Sequence, residues 1–322
     1  MNIKDKVRSS LLAAITGDAL GVPVEFTPNL EHSLCSVKNM FGYGRYDQPQ
    51  GTWSDDSSMM LCTIESLCRG YNIEDLGQTF CKWLFEAYWT ATGVVFDAGI
   101  TTVTALDRIK TEHCSARNSG STSEHENGNG SLMRILPAAL FFYTLPTDEF
   151  LKRIHEISAI THAHPRTLVG CGIYSLLLKS LFTIHDKQQA FRAAISEALQ
   201  YYGTRPEFKS EISAYLRIIS FEIFDLEEED ISSSGYIVDT LEAALWCFLK
   251  NDSTQDIILS AVNIGLDTDT AGTIAGGLAG LVYGIDDIPS EWISSLSRKN
   301  EIDALLENFA TIISSTPLSN NK

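Results

Sequence analysis

Two acidic clusters lie at opposite ends of the 322-residue chain. The first is Ser54-Asp55-Asp56, inside Gly51-Thr-Trp-Ser-Asp-Asp-Ser-Ser-Met; the second is Asp267-Thr268-Asp269-Thr270, inside Gly265-Leu-Asp-Thr-Asp-Thr-Ala-Gly. Carboxylates and hydroxyls packed this tightly at the mouth of an apolar helical run repel one another unless a hard cation neutralises them. With no Cys or clustered His among the donors, the set selects Mg²⁺, Mn²⁺ or Ca²⁺ over zinc. The competing reading is helix capping, since Asp, Ser and Thr accept orphan N–H groups and acids complement the helix dipole. One cap needs one oxygen, however, and each cluster offers three candidate ligands, which suggests one shared metal site.

Further polar groups stand in apolar or glycine-rich settings. Gly17-Asp18-Ala-Leu-Gly21-Val-Pro23-Val-Glu25-Phe26 ends a helix and then presents Glu25 between apolar neighbours, as a loop residue or as a carboxylate poised for acid–base or ligand duty. Asp97, in Phe96-Asp97-Ala-Gly99-Ile-Thr-Thr102, reads locally as a plain N-cap. Asn127-Gly128-Asn129-Gly130-Ser131 precedes a predicted helix and forms either an anion cradle or a turn plus cap. His162 and His164 are spaced i, i+2, unsuited to joint ligation from one helix face, so a neutral histidine hydrogen-bonding a hydroxyl is the milder role.

The elements that must position these groups are helical. Apolar periodicity of 3.6 predicts helices over 7–20, 57–69, 76–91, 98–110, 131–145, 147–161, 165–182, 187–200, 206–224, 238–250, 253–264 and 270–283, with almost no strand-like alternation. The expectation is an all-α fold, one domain over 1–322, with about a dozen helices and no composition break. Long loops are expected over 28–53 and 114–127, which would flank the site, and over 225–235, read as a solvated charge run. The terminal helix, beginning near Thr270, repeats small residues at Ala271, Gly272, Ala275, Gly276, Ala279 and Gly280. Such a stripe permits close helix approach and would bury this helix centrally, with its acidic cap deep in a cleft.

Composition excludes some classes. A formal charge of −17 without any Lys/Arg run argues against nucleic-acid binding, and the apolar runs fall short of the roughly 20 residues needed to cross a bilayer. Seven scattered cysteines without a C-x-x-C pair fit a reducing cytoplasm. The apolar stretch near the N-terminus is too short, and too soon interrupted by Gly17-Asp18, for a signal peptide.

Taken in order, these segments resemble the ADP-ribosylglycohydrolases, the group of bacterial dinitrogenase reductase-activating glycohydrolases and animal ADP-ribosyl-arginine and ADP-ribosyl-serine hydrolases. The likeness rests on Gly17-Asp18-Ala-Leu-Gly21, Gly51-x-Trp53-x-Asp55-Asp56, Asn129-Gly-x-x-Met133-Arg134, Thr161-His162-x-His164-Pro165, Gly235-Tyr236-x-Val238-Asp239-Thr240-Leu241-Glu242-Ala243-Ala244 and Asp267-Thr-Asp269-Thr270. The resemblance implies a single orthogonal helical bundle around a central cleft holding two Mg²⁺ or Mn²⁺ ions. It implies Ser54, Asp55, Asp56, Asp267, Asp269 and Thr270 as metal ligands and Glu25 close by. It places Asp97 and Gly99 beside the reacting ribose, Asn127, Gly128, Asn129, Gly130 and Ser131 at the pyrophosphate, and His162 and Tyr236 at the ribose or adenine end. Glu25 and Asp97 are the candidate proton acceptors for water. Ser54 replaces the usual Thr while keeping its hydroxyl, Ile100 stands where some relatives carry a polar residue, and Leu266 interrupts the common Gly-Gly-Asp-Thr-Asp run. The implied activity is removal of ADP-ribose from arginine on a modified protein. Alternatives are serine-linked, O-acetyl or nucleic-acid-linked ADP-ribose, or a binding protein that occludes a cognate ADP-ribosyltransferase toxin.

Overall fold

The computed structural model describes residues 1–27 and 36–315. The first part of the expected loop over 28–53, with Cys35, and the last residues of the expected domain lie outside the described residues. Among the described residues the regular elements are helices: α1 (Ile3–Gly21), α2 (Asp55–Cys68), α3 (Ile73–Glu86), α4 (Ile100–Thr111), α5 (Leu136–Phe142), α6 (Thr147–Ser158), α7 (Pro165–Leu181) and α8 (Lys187–Tyr202). After them come α9 (Pro206–Lys209), α10 (Leu216–Ile219), α11 (Ile237–Lys250), α12 (Thr254–Asn263), α13 (Thr268–Tyr283), α14 (Ser290–Ser295) and α15 (Lys299–Ser315). The architecture is all-α.

The spine is the antiparallel pair α1 and α13, each buried along almost its whole length. Their small residues meet in register, Ser9 opposite Gly280, Ala13 opposite Gly276, Gly17 opposite Gly272, and Gly21 opposite Asp269. A Cβ added at Gly272 would lie 2.5 Å from the Gly17 carbonyl oxygen, and one at Gly276 would lie 2.5 Å from that of Ala13. Only residues without a side chain allow backbones this close, so the i, i+4 stripe sets both the spacing and the register of the pair. Thr268 Oγ1 adds a hydrogen bond to the Gly21 carbonyl at 2.8 Å. The start of α13 is thereby fixed against the end of α1.

Three expectations are corrected by the structure. The small-residue helix is central, as its stripe predicts, but it is not terminal: α15 follows, burying Ile302, Leu306, Phe309, Ala310 and Ile313 at helical spacing. The helix expected over 206–224 is broken into α9, α10 and short 3₁₀ turns, with Phe221 in the left-handed region at φ 67° and the Tyr215 hydroxyl anchored to the Arg166 carbonyl at 2.7 Å. The helix expected over 131–145 begins only at Leu136, because Pro137 has no N–H and sits without cost only in a first turn. Residues 131–134 instead form turns beside the cleft.

Candidate active site

Asp18 is fully buried near the end of α1. Its carboxylate accepts from Ser54 N at 2.9 Å, Ser57 N at 2.9 Å and Ser57 Oγ at 2.5 Å. Burial pushes its pKa up to about 6 against the pull of the Ser57 and Ser54 hydrogen bonds. One carboxylate thus pins the N-terminus of α2 to α1. Ser54 is a true N-cap, its Oγ accepting from Asp56 N at 3.2 Å, which leaves a lone pair for a further partner. Asp267, by contrast, holds the N-cap position of α13 without a side-chain capping bond. Capping therefore explains Ser54 but leaves the acids of both clusters unexplained.

The two clusters converge. Thr270 Oγ1 donates to Asp56 Oδ1 at 3.4 Å across the gap. Glu25 reaches the same place because the chain leaves α1 through the short turn Val22–Val24, after which Phe26 N donates to the Leu266 carbonyl at 2.6 Å and Leu266 N to the Thr27 carbonyl at 2.9 Å. These two bonds lay Glu25 beside Asp267. Carboxylate oxygens of Glu25, Asp267 and Asp269 lie within 4.8 Å of one another, all three residues buried. Glu25 Oε2, Asp56 Oδ2 and Asp269 Oδ2 are buried acceptors with no hydrogen-bond partner among the described residues.

Burial, then the charge of Asp97, pushes Glu25 up to about 9. Asp55 is raised well above the carboxylate range by burial and then Asp97, Asp56 by burial and then Asp18, and Asp269 by burial and then Glu25. So many acids cannot all ionise here unaided. Orphaned carboxylate oxygens gathered without any sulfur or imidazole fit a hard divalent cation.

Asp97 forms the outer edge of the cluster, and the structure corrects its local reading. It is not an N-cap: its φ is 58°, and Gly99 occupies the cap position of α4. Its Oδ1 accepts from the Tyr46 hydroxyl at 2.7 Å, and the Tyr46 ring lies 4.8 Å from that of Phe96. Burial raises Asp97, while the Tyr46 hydrogen bond works in the opposite direction.

The opposite wall is the glycine-rich turn. Gly128, Asn129, Gly130 and His162 line a cleft of about 290 Å³ together with Glu25, Asp55, Asp56, Asp97, Gly99, Asp267 and Thr270. Two backbone bonds fix this wall, Asn129 N to the Gly235 carbonyl at 3.0 Å and Ile237 N to the Asn127 carbonyl at 3.0 Å. Asn129 Nδ2 donates to Asp267 Oδ2 at 2.8 Å and to Thr240 Oγ1 at 2.9 Å, so this side chain orients an acid as well as lining the cleft.

Not every expected residue arrives. The Asn127 side chain is engaged by Thr167 Oγ1 and the Glu124 carbonyl, and Ser131 Oγ is turned inward toward Ser158 and Cys171. Tyr236 stands outside the cleft lining; Ser54 and Asp269 are also outside it, but Ser54 directly precedes the lining residues Asp55 and Asp56, and Asp269 brings a carboxylate oxygen within 4.8 Å of those of Glu25 and Asp267. Ile100 is 84% exposed at the cleft edge.

Residues 1–317 match the profile of ADP-ribosylglycohydrolase. The chain belongs to the ADP-ribosylglycohydrolase family. It is 30% identical over 315 residues to the ADP-ribosyl-[dinitrogen reductase] glycohydrolase of Rhodospirillum rubrum, covering 95% of this chain and 97% of that one. It is 29% identical over 305 residues to an ADP-ribosylarginine hydrolase of Serratia proteamaculans (strain 568), covering 94% and 78%. A solved structure described as an ADP-ribosylglycohydrolase-related protein complex superposes with a TM-score of 0.80 at 28% identity, covering 97% and 99%. Like its relatives, this ADP-ribosylglycohydrolase is a hydrolase of glycosyl bonds.

Sequence reasoning missed several members of this ADP-ribosylglycohydrolase site. Asp18 carried a signal, a lone carboxylate among small and apolar residues of a helix. Ser233 is buried and exchanges bonds with Asp267, accepting from its N at 2.8 Å and donating to its carbonyl at 3.1 Å. The loop over 225–235 therefore carries its charge run over 227–230, and its end supports the cleft. Tyr46 carried no signal, since its loop has no periodicity.

Proposed function

We propose that the protein hydrolyses the N-glycosidic bond of ADP-ribosyl-arginine on a modified protein, using two Mg²⁺ or Mn²⁺ ions in the cleft. The observation that carries this reading is the convergence of Glu25, Asp267 and Asp269 within 4.8 Å, beside unpartnered buried oxygens of Glu25, Asp56 and Asp269. The choice of arginine is supported by the Serratia relative, whose name gives it that linkage.

Ser54, Asp55, Asp56, Asp267, Asp269 and Thr270 would hold the ions, with Glu25 completing the oxygen set. When bound, such ions neutralise these acids, hold ribose hydroxyls and lower the pKa of water. The chain's own groups do the rest. Asp97 Oδ1 accepts a hydrogen bond from the Tyr46 hydroxyl, which orients the carboxylate to take the proton of the attacking water. As the water oxygen bonds to the anomeric carbon, the C–N bond breaks and the leaving guanidine nitrogen takes up the proton that Asp97 received from the water, which regenerates the carboxylate. Positive charge grows on the sugar ring in that step, and the surrounding carboxylates stabilise it. Gly128, Asn129, Gly130 and His162 hold the phosphate side, where backbone without side chains lets a ligand approach closely.

The substrate must come from an ADP-ribosyltransferase that modifies arginine, and the protein opposes that enzyme by removing its product. Arginine- and serine-ADP-ribosylated proteins, incubated in parallel with the enzyme and Mg²⁺, test the proposal by quantifying released ADP-ribose. Release from the arginine linkage is expected; release from serine alone would move the assignment to the O-linked class, and release from neither would refute it.

A further inference from the structure

Behind the glycine wall of the cleft lies a guanidinium without a carboxylate partner among the described residues. Arg134 is fully buried, its Nη1 donating to the Ile157 carbonyl at 3.2 Å and its Nη2 to Thr161 Oγ1 at 2.7 Å. Its guanidinium carbon lies 4.5 Å from the centre of the Phe80 ring, and its Nε has no hydrogen-bond partner among the described residues. A buried charge held this way costs several kcal/mol, about what a burial penalty without a counter-ion carries. Burial brings its pKa down to about 9, so it is still a cation at neutral pH.

The hydrogen atoms behind this arrangement can be counted. A guanidinium donates and never accepts. Thr161 Oγ1 must therefore accept from Arg134, and its own hydrogen needs another acceptor. His162 Nδ1, at 2.8 Å, is the side-chain partner available to it among the described residues. Nδ1 is then the bare nitrogen of a neutral ring, and the ring proton sits on Nε2. Burial, together with the charge of Arg134, pulls His162 down to about 3 and keeps it neutral. Ser158 Oγ donates to the His162 carbonyl at 3.0 Å and steadies the backbone.

The far side of this ring faces the cleft. Positions occupied by a Cβ at Gly128 and at Gly130 would lie 3.6 Å and 3.5 Å from His162 Nε2, and the one at Gly130 would lie 2.9 Å from Cε1. Glycine at 130 thus keeps the imidazole edge open to a ligand. No protein acceptor meets Nε2 among the described residues.

We propose that Arg134 and Thr161 are positioning residues that lock His162 in the neutral Nε2–H tautomer, making that N–H a fixed donor to a ligand oxygen at the Gly128–Gly130 wall. The opposite tautomer would leave the Thr161 hydrogen without an acceptor and turn a bare lone pair toward the ligand. The identity of the ligand as ADP-ribose rests on the function proposed above; the tautomer does not.

Long-range ¹H–¹⁵N correlation spectra of the full-length protein, ¹⁵N-labelled at histidine and recorded at pH 7 without ligand, read the tautomer directly. The His162 signals are identified among the seven histidines by their loss in His162→Gln. The expected pattern is a pyrrole-type Nε2 and a pyridine-type Nδ1. Thr161→Val should release the lock, mixing the tautomers and weakening ADP-ribose binding about three- to tenfold, as loss of one hydrogen bond implies. Thr161→Ser should restore both readouts. A wild-type ring protonated at Nδ1 would overturn the proposal even if Thr161→Val fails to fold, and so would a folded Thr161→Val with unchanged tautomer and affinity. No ADP-ribose binding by wild type, with the tautomer as expected, would fault the functional reading and not the relay.

Discussion

Removal of divalent cations should make the protein lose stability as pH rises from 5 to 8, and Mg²⁺ should restore it. Glu25 is the group from which the size can be worked. Burial, and then the charge of Asp97, pushes its carboxyl from the ordinary value of about 4.5 up to about 9 in the folded chain. The folded state therefore keeps a proton that the unfolded state releases, so this contribution is full below about pH 4.5 and falls as pH climbs toward 9. One such proton is worth about 1.4 kcal/mol per pH unit, or about 4 kcal/mol between pH 5 and 8. For 322 residues an unfolding entropy of about 0.7 kcal/mol/K turns that into a Tm loss of about 6 °C. A cation competes with that proton for the same oxygens, so its stabilising effect must grow with pH. Thermal unfolding in EDTA and in Mg²⁺ at matched ionic strength, at pH 5, 6, 7 and 8, should show a Mg²⁺-induced Tm increment about 6 °C larger at pH 8 than at pH 5. The increment should vanish in Asp269→Asn. An increment that is flat with pH, or larger at pH 5, would refute the reasoning, because general self-repulsion of a chain of charge −17 cannot produce the ion-specific difference.

Asp18→Asn should destabilise the protein by about 3 kcal/mol, since an amide offers one acceptor where the carboxylate serves three donors. Urea unfolding measures that loss, and Mg²⁺ affinity should fall about 10- to 100-fold as the floor beneath Asp55 and Asp56 loosens; unchanged values in both would remove Asp18 from the account. Tyr46→Phe should lower kcat about tenfold with little change in KM and move the acid limb of the kcat/KM profile to higher pH, because the phenol hydrogen bond pulls Asp97 down. An unshifted acid limb would show that Asp97 is not the base. Gly17→Ala should cost about 3 kcal/mol or more, because its Cβ would strike the Gly272 carbonyl and force α1 from α13. The Mg²⁺-induced Tm increment should be lost with it, since Glu25 and Asp269 hang from those two helices.

The acidic clusters and the small-residue stripe were legible in the sequence because both are local patterns of residue type. Their convergence was legible only indirectly: the stripe says that α13 packs closely on a neighbour, but not that Gly17 of α1 is opposite Gly272. The local reading of Asp97 as a cap fails because a capping pattern and a left-handed residue beside a cap share the same letters; the hydrogen bond from Tyr46 that separates them crosses 51 positions. The end of the loop over 225–235 was misread for the opposite reason, the charges over 227–230 masking Ser233, whose role is set by Asp267 far along the chain. The segment over 206–224 keeps helical periodicity, yet tertiary anchors such as Tyr215 to Arg166 override it. Arg134 and His162 belonged to motifs visible in the sequence, but the proton count that links them through Thr161 exists only in three dimensions.

The central claim is that both acidic clusters share bound divalent ions. Anomalous scattering from Mn²⁺-soaked crystals tests it most directly. The account predicts two Mn²⁺ peaks in the cleft between Asp55–Asp56 and Asp267–Asp269, both absent from crystals of Asp269→Ala. Mn²⁺ density only elsewhere on the molecule, or none at saturating Mn²⁺, would contradict it.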